Sequence, residues 1–205
     1  MVLEWARSAG CAWDAETFSA AARGGHLKIL EWARSAGCEW SVVTCARAAE
    51  GGHLKVLQWL RAKGCEWDEL VGRMAARGGH LKILKWARSE GCELTKRTCA
   101  SAARGGRLET LRWLRDVGCE WCECTAAAAA ENGHLRVLEW AIANGCEWSE
   151  KTPHAAAERG QLETFRWAVE HGCAVDLEEC RAVATGAVAR WFADSGAGEI
   201  DEKIN

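Results

Sequence analysis

Apolar positions recur along this chain with two superimposed periods. Over short stretches they follow helical spacing, as in Leu27, Ile29, Leu30, Trp32 and Ala33, a stripe wide enough for a helix wedged between two neighbours. Over longer distances the same residues return every 27 positions. Leu27, Leu54, Leu81, Leu108, Leu135 and Leu162 form one ladder, and Trp5, Trp32, Trp59, Trp86, Trp113, Trp140 and Trp167 a second. Cys11, Cys38, Cys65, Cys92, Cys119, Cys146 and Cys173 form a third. The pattern predicts six complete units over 14–175, a truncated half unit over 1–13, a degenerate capping unit over 176–199 and a polar tail over 200–205.

Each unit predicts two short helices. Asp14, Ser41, Asp68, Thr95 and Ser149 carry side chains that accept hydrogen bonds from the free amides of a helix start. Ten residues later the pairs Gly24-Gly25, Gly51-Gly52, Gly78-Gly79 and Gly105-Gly106 supply the positive backbone dihedrals that end the helix. This first helix, helix A, has small pairs such as Ala48-Ala49 and Ala102-Ala103 on its inner face, which let backbones approach closely. Helix B carries the Leu and Trp ladders and ends at Gly37, Gly64, Gly91, Gly118, Gly145 or Gly172. Helices this short do not hold in water alone, so each pair must be stabilised by the next. The predicted fold is an all-α helix-turn-helix solenoid.

Composition follows from the repeat. The 13 Trp and 12 Cys beside one Pro and no Tyr are one unit multiplied. Hydrophobic and charged fractions of 49% and 27% exclude wholesale disorder, and the absence of an apolar run of about 18 residues argues against membrane insertion. Met1 is followed by Glu4 and Arg7 rather than an apolar signal core, which predicts an intracellular protein, cytoplasmic or nuclear, with reduced thiols. Met1 also starts inside a helix B, so the chain reads as a monomer or as a fragment of a longer array.

The run Ala48-Ala49-Glu50-Gly51-Gly52-His53-Leu54-Lys55-Val56-Leu57, closing at Gly64-Cys65, resembles the ankyrin-repeat core. The likeness covers nearly the whole chain. The units are about six residues shorter than the usual ankyrin repeat of about 33, and the shortfall falls where ankyrins project a β-hairpin finger. The resemblance therefore implies ankyrin-like repeats with short or absent fingers, in a Trp- and Cys-rich variant. It further implies a noncatalytic scaffold for protein–protein interaction.

Candidate chemistry is sparse. Equivalent cysteines in adjacent layers are expected about 8–10 Å apart, too far for a disulfide or a shared zinc, so the ladder reads as small buried residues. His26, His53, His80 and His134 each read as bracing their own turn, and the Trp ladders read as buried core. The cluster Cys119, Cys122, Cys124 breaks the period and is a candidate metal or redox site, the alternative to a pure scaffold. No phosphate loop, dinucleotide fingerprint, zinc-protease or nucleophile-elbow motif occurs, so no enzyme activity, catalytic residue or cofactor is predicted.

Charge singles out one region. Net charge is −3, yet residues 61–115 hold 13 basic and 6 acidic side chains. Helix A's outward columns place Arg73, Met74, Arg77 and Arg104 there and Arg47 in the repeat that leads into it, and the loop before the fourth helix A adds Lys96 and Arg97. These seven are the candidate partner-binding residues, suited to an acidic peptide or protein face through Arg forks. Nucleic acid is disfavoured because the aromatics follow the core period.

Overall fold

A computed structural model describes residues 14–194. The predicted half unit, with Leu3, Trp5, Cys11 and Trp13, lies outside the described residues, as does the chain from Ser195 onward, including the predicted tail. Among the described residues are fourteen helices and no strand. The fold is an all-α repeat solenoid.

The chain divides between Leu94 and Thr95 into two compact units. The first holds three repeats: α1 (Ala15–Arg23) with α2 (Leu27–Ser35), α3 (Val42–Glu50) with α4 (Leu54–Ala62), and α5 (Glu69–Gly78) with α6 (Leu81–Ser89). The second holds α7 (Lys96–Arg104) with α8 (Leu108–Asp116), α9 (Glu123–Glu131) with α10 (Leu135–Ala143), and α11 (Lys151–Glu158) with α12 (Leu162–Glu170). It ends on the degenerate pair α13 (Leu177–Val183) and α14 (Gly186–Asp194). The segments from each helix B stop to the next helix A are irregular, so no β-hairpin finger is formed among the described residues.

Within each unit successive A helices pack on one another, α1 on α3 and α3 on α5, then α7 on α9, α9 on α11 and α11 on α13. The alanine pairs explain this. Ala48, Ala49, Ala75, Ala76, Ala102, Ala103, Ala129 and Ala130 are all fully buried, and a methyl group is all that fits between two close backbones. Helix B contributes the larger apolar groups, including Leu30, Leu57, Leu84, Leu111, Leu138 and Phe165 at one repeated position, none of them exposed.

Helix starts follow the cap residues with two exceptions. Asp14 accepts from the Thr17 amide at 2.9 Å, and Ser41 with Thr44 and Thr95 with Thr98 form reciprocal capping boxes. The sixth helix A begins at Lys151, two residues after Ser149, because Pro153 has no N–H to place on the Ser149 carbonyl. The equivalent bond in the first repeat, from Phe18 to the Asp14 carbonyl, measures 3.1 Å. In the fifth repeat the cap is Cys122, whose sulfur makes no cap bond, and the buried Thr125 hydroxyl opposite it has no partner. Cys122→Ser/Cys124→Ala is therefore expected to exceed Cys122→Ala/Cys124→Ala in unfolding free energy by about 1 kcal/mol in urea titration. Equal stabilities would mean that no capping box can form at this helix start.

The turn between helices A and B differs from the sequence expectation. Only the second glycine carries a positive φ, as at Gly25 (76°) and Gly52 (81°), while Gly24 and Gly51 remain right-handed. The first glycine leaves room for its own repeat's histidine. A Cβ on Gly24 would lie 2.7 Å from the His26 ring. The second makes room for the next repeat's histidine: a Cβ on Gly52 would lie 2.6 Å from His80 and one on Gly106 2.8 Å from His134. His80 and His134 thus bond to the preceding turn rather than to their own. The Nε2–H of His80 donates to the Glu50 carbonyl at 2.9 Å, and that of His134 to the Arg104 carbonyl at 3.1 Å. Gln161 fills the slot over Gly133. At the last turn Thr185 takes this role, its backbone lying over Gly160 and its hydroxyl donating to the Glu158 carbonyl at 2.7 Å.

Candidate functional site

Helix A turns one face to the alanine seam and the other outward, and the candidate partner-binding residues lie on that outward side. In the first unit Arg47 on α3 is exposed, while Arg73 and Met74 on α5 are half-buried and Arg77 is exposed. In the second unit Lys96, Arg97 and Arg104 on α7 are all exposed. The seven residues are thus divided between the two units.

Several of these cations are already engaged. Arg47 reaches Glu50 at 2.8 Å, and Arg23 of the preceding repeat reaches the same carboxylate at 3.5 Å. In the second unit Glu131 receives Arg104 and Arg159, each at 3.1 Å. Glu50 and Glu131 are only 15% and 20% exposed, so each is a shielded carboxylate clasped by two arginines. Arg73 lies 3.7 Å from Glu69, and its Nε is buried with no partner. The basic patch is therefore less naked than its sequence count suggests. The sign of this in the sequence is a step from Arg to Glu at the repeat spacing, which occurs twice down one column, from Arg23 to Glu50 and from Arg104 to Glu131.

A groove opens on this face between α1 and α3. It encloses about 450 Å³ and is lined by Glu16, Ser19, Arg23, Ser41, Val43 and Arg47 among others. Val43, which lines it, is 39% exposed and its chain neighbour Val42 40%, the large hydrophobics that stand out most among the described residues. An apolar edge beside two guanidinium groups suits a ligand with both an aliphatic and an anionic group.

The cysteine cluster separates. Cys122 and Cys124 are joined to each other, with Cα atoms 5.1 Å apart. Cys119 points into the core instead, where its sulfur lies 3.5 Å from that of Cys99 and 3.2 Å from the Thr95 carbonyl. Among the described residues no three His, Cys, Asp or Glu side chains converge to hold a metal. The ladder cysteines are buried from Cys38 to Cys173, and burial pushes the Cys146 and Cys173 thiols up to about 11.

The tryptophans among the described residues are half-buried, which corrects the expectation of a buried core. Each loop Trp meets the edge or tilted face of a Trp on the next helix B: Trp40 with Trp59 at 6.1 Å, Trp67 with Trp86 at 5.3 Å, Trp121 with Trp140 and Trp148 with Trp167 at 5.7 Å. Arginines cover some of the outer faces, with Arg34 over Trp40 at 4.0 Å, Arg61 over Trp67 at 4.4 Å and Arg115 over Trp121 at 4.2 Å. An indole is too large to enclose in layers this thin, and a guanidinium laid on its face shields it. No helix among the described residues is long and apolar enough to cross a membrane.

Comparison with known proteins agrees with this architecture. Residues 45–88 match a family model described as ankyrin repeats (many copies). No curated protein matches the chain. Among solved structures, the human ASB11 ankyrin repeat domain superposes with a TM-score of 0.57 at 15% identity, covering 87% of this chain and 97% of that one.

Proposed function

We propose, from the match of residues 45–88 to ankyrin repeats and the likeness of the fold to a solved ankyrin-repeat domain, that this chain is a noncatalytic ankyrin-repeat scaffold that captures a protein partner on the outward face of its A helices. Ankyrin repeats generally serve as protein–protein interaction modules. The observation that carries the finer reading is the groove between α1 and α3, where exposed Val43 stands beside Arg23 and Arg47. A partner segment with an aliphatic side chain followed by a carboxylate fits it, the aliphatic group on Val43 and the carboxylate drawing the arginines partly away from Glu50. In the first unit Arg73, Met74 and Arg77 extend the same face. Lys96, Arg97 and Arg104 give the second unit its own basic face.

A fluorescent peptide alternating Leu and Glu is the probe. Binding is expected to weaken by about tenfold or more with Arg47→Glu, a change of about 1.4 kcal/mol, and with Val43→Asp. A triple reversal of Lys96, Arg97 and Arg104 tests the second face separately. It is expected to reduce the salt dependence of binding. Unchanged binding in every variant, with helical content intact, would place the interaction surface elsewhere.

A further inference from the structure

Two sulfur pairs lie buried inside repeats, separate from the bonded pair Cys122–Cys124. Cys45 on α3 and Cys65, just past the end of α4, are both fully buried with their sulfurs 3.1 Å apart. Cys99 on α7 and Cys119, just past the end of α8, repeat the arrangement at 3.5 Å. Both pairs are separated by 20 residues.

Among the six complete repeats the helix A member is confined to these two; Cys180 holds the same position in the degenerate unit, where Ala197 follows Gly196 in place of a ladder cysteine. Equivalent positions in the other complete repeats hold Phe18, Gly72, Ala126 and Pro153, although a ladder cysteine is present in each. The same two repeats place Leu60 and Leu114 where the others have Ala33, Ala87, Ala141 and Ala168. Cysteine on helix A and leucine on helix B therefore occur together, as parts of one repeat type. Each pair also has an arginine beside it. Arg61 donates to the Cys65 carbonyl at 3.1 Å and Arg115 to the Cys119 carbonyl at 2.7 Å. The hydrogen bond from Cys45 and the nearby Arg61 charge lower the Cys65 thiol, while donating that bond and burial raise Cys45.

We propose that Cys45–Cys65 and Cys99–Cys119 are two disulfide sites, each closing within one repeat, oxidised by exchange with a low-molecular-weight disulfide such as oxidised glutathione. The sulfurs need to approach by about 1 to 1.5 Å to reach bonding distance of about 2.05 Å. The Cys65 thiolate attacks one sulfur of the small disulfide and expels one thiolate, leaving a mixed disulfide. Cys45 then loses its proton and attacks the Cys65 sulfur, expelling the second thiolate. Two protein thiols are oxidised and one small disulfide is reduced to two thiols. Cys119 and Cys99 follow the same course. Burial makes the exchange an event of folding or local opening, and it shields the finished bond from reductant.

The test refolds the full chain from urea in a glutathione redox buffer, so that burial cannot block the chemistry, followed by alkylation and nonreducing peptide mapping after trypsin. The expected products join 35–47 to 64–73 and 98–104 to 116–136. Free, alkylated thiols at all four positions in the refolded protein, or links from Cys45 or Cys99 to other ladder cysteines, overturn the proposal. Cys45→Ala/Cys99→Ala, which places at both positions the residue already present at Ala126, keeps the helical fold and loses both cross-links. The urea midpoint of the oxidised chain is expected to fall on adding dithiothreitol, and that shift should vanish in the double variant. A shift of the same size in the double variant would assign it to Cys122–Cys124 and overturn the assignment here.

Discussion

Gly52→Ala is expected to lower the unfolding free energy by about 3 kcal/mol, whereas Gly64→Ala, at nearly the same backbone angle, should cost about 1 kcal/mol. The two glycines have φ of 81° and 83°, so their dihedral penalties are alike. What differs is the space around them. A Cβ on Gly64 meets nothing within 4 Å, while one on Gly52 would lie 2.6 Å from the His80 ring. Moving His80 aside breaks its 2.9 Å bond to the Glu50 carbonyl, and an unpaired carbonyl costs about 1–3 kcal/mol. Truncating the histidine as well should therefore recover part of the loss. In Gly52→Ala/His80→Ala the two effects should be less than additive, read as a coupling energy in urea unfolding. Equal costs for Gly52→Ala and Gly64→Ala would show that the histidine slot contributes nothing.

The second large effect belongs to Leu111, where alanine is expected to cost about 2–5 kcal/mol. Leu111 is fully buried on α8, and all six repeats carry Leu or Phe at its position. The space it fills lies between closely packed helical backbones that cannot collapse onto a void. Leu114, one turn on and equally buried, stands where four repeats carry alanine, so the same kind of layer closes there around a methyl group. Leu114→Ala is thus expected to cost less than Leu111→Ala. Denaturant unfolding of both variants, with Cys99 and Cys119 kept reduced, checks the order, and its reversal would refute the layer argument.

The features legible in the sequence are those fixed inside one repeat. Asp14, Ser41 and Thr95 cap helices because a hydroxyl or carboxylate near free amides acts locally, and the alanine pairs mark a close seam for an equally local reason. Contacts between neighbouring repeats were harder to read, because they depend on the offset from one layer to the next. His80 reaching back to Glu50 and Arg23 reaching forward to Glu50 are of this kind. The cysteine pairs were missed for a different reason. The period relates equivalent cysteines in successive layers, whereas the close approach is between Cys45 and Cys65, which are not equivalent. The tryptophans kept their period but not their depth, and Arg34, Arg61 and Arg115, each six residues before a loop Trp, were the available sign.

The histidine slot also gives the array a direction. Within each unit a turn is finished by a side chain from the repeat that follows it, His53 over Gly25, His80 over Gly52, His134 over Gly106 and Gln161 over Gly133, so these repeats are completed from their C-terminal side. A cut placed after one of them vacates its glycine slot, and after the second or fourth repeat it also leaves a carbonyl, of Glu50 or Arg104, without its histidine donor. A cut placed before one exposes only a side chain with nowhere to dock. Thr185 closes the final slot with its own backbone and hydroxyl. It acts as a terminator, and shortening this protein from its C-terminal end while keeping it folded requires carrying that terminator along.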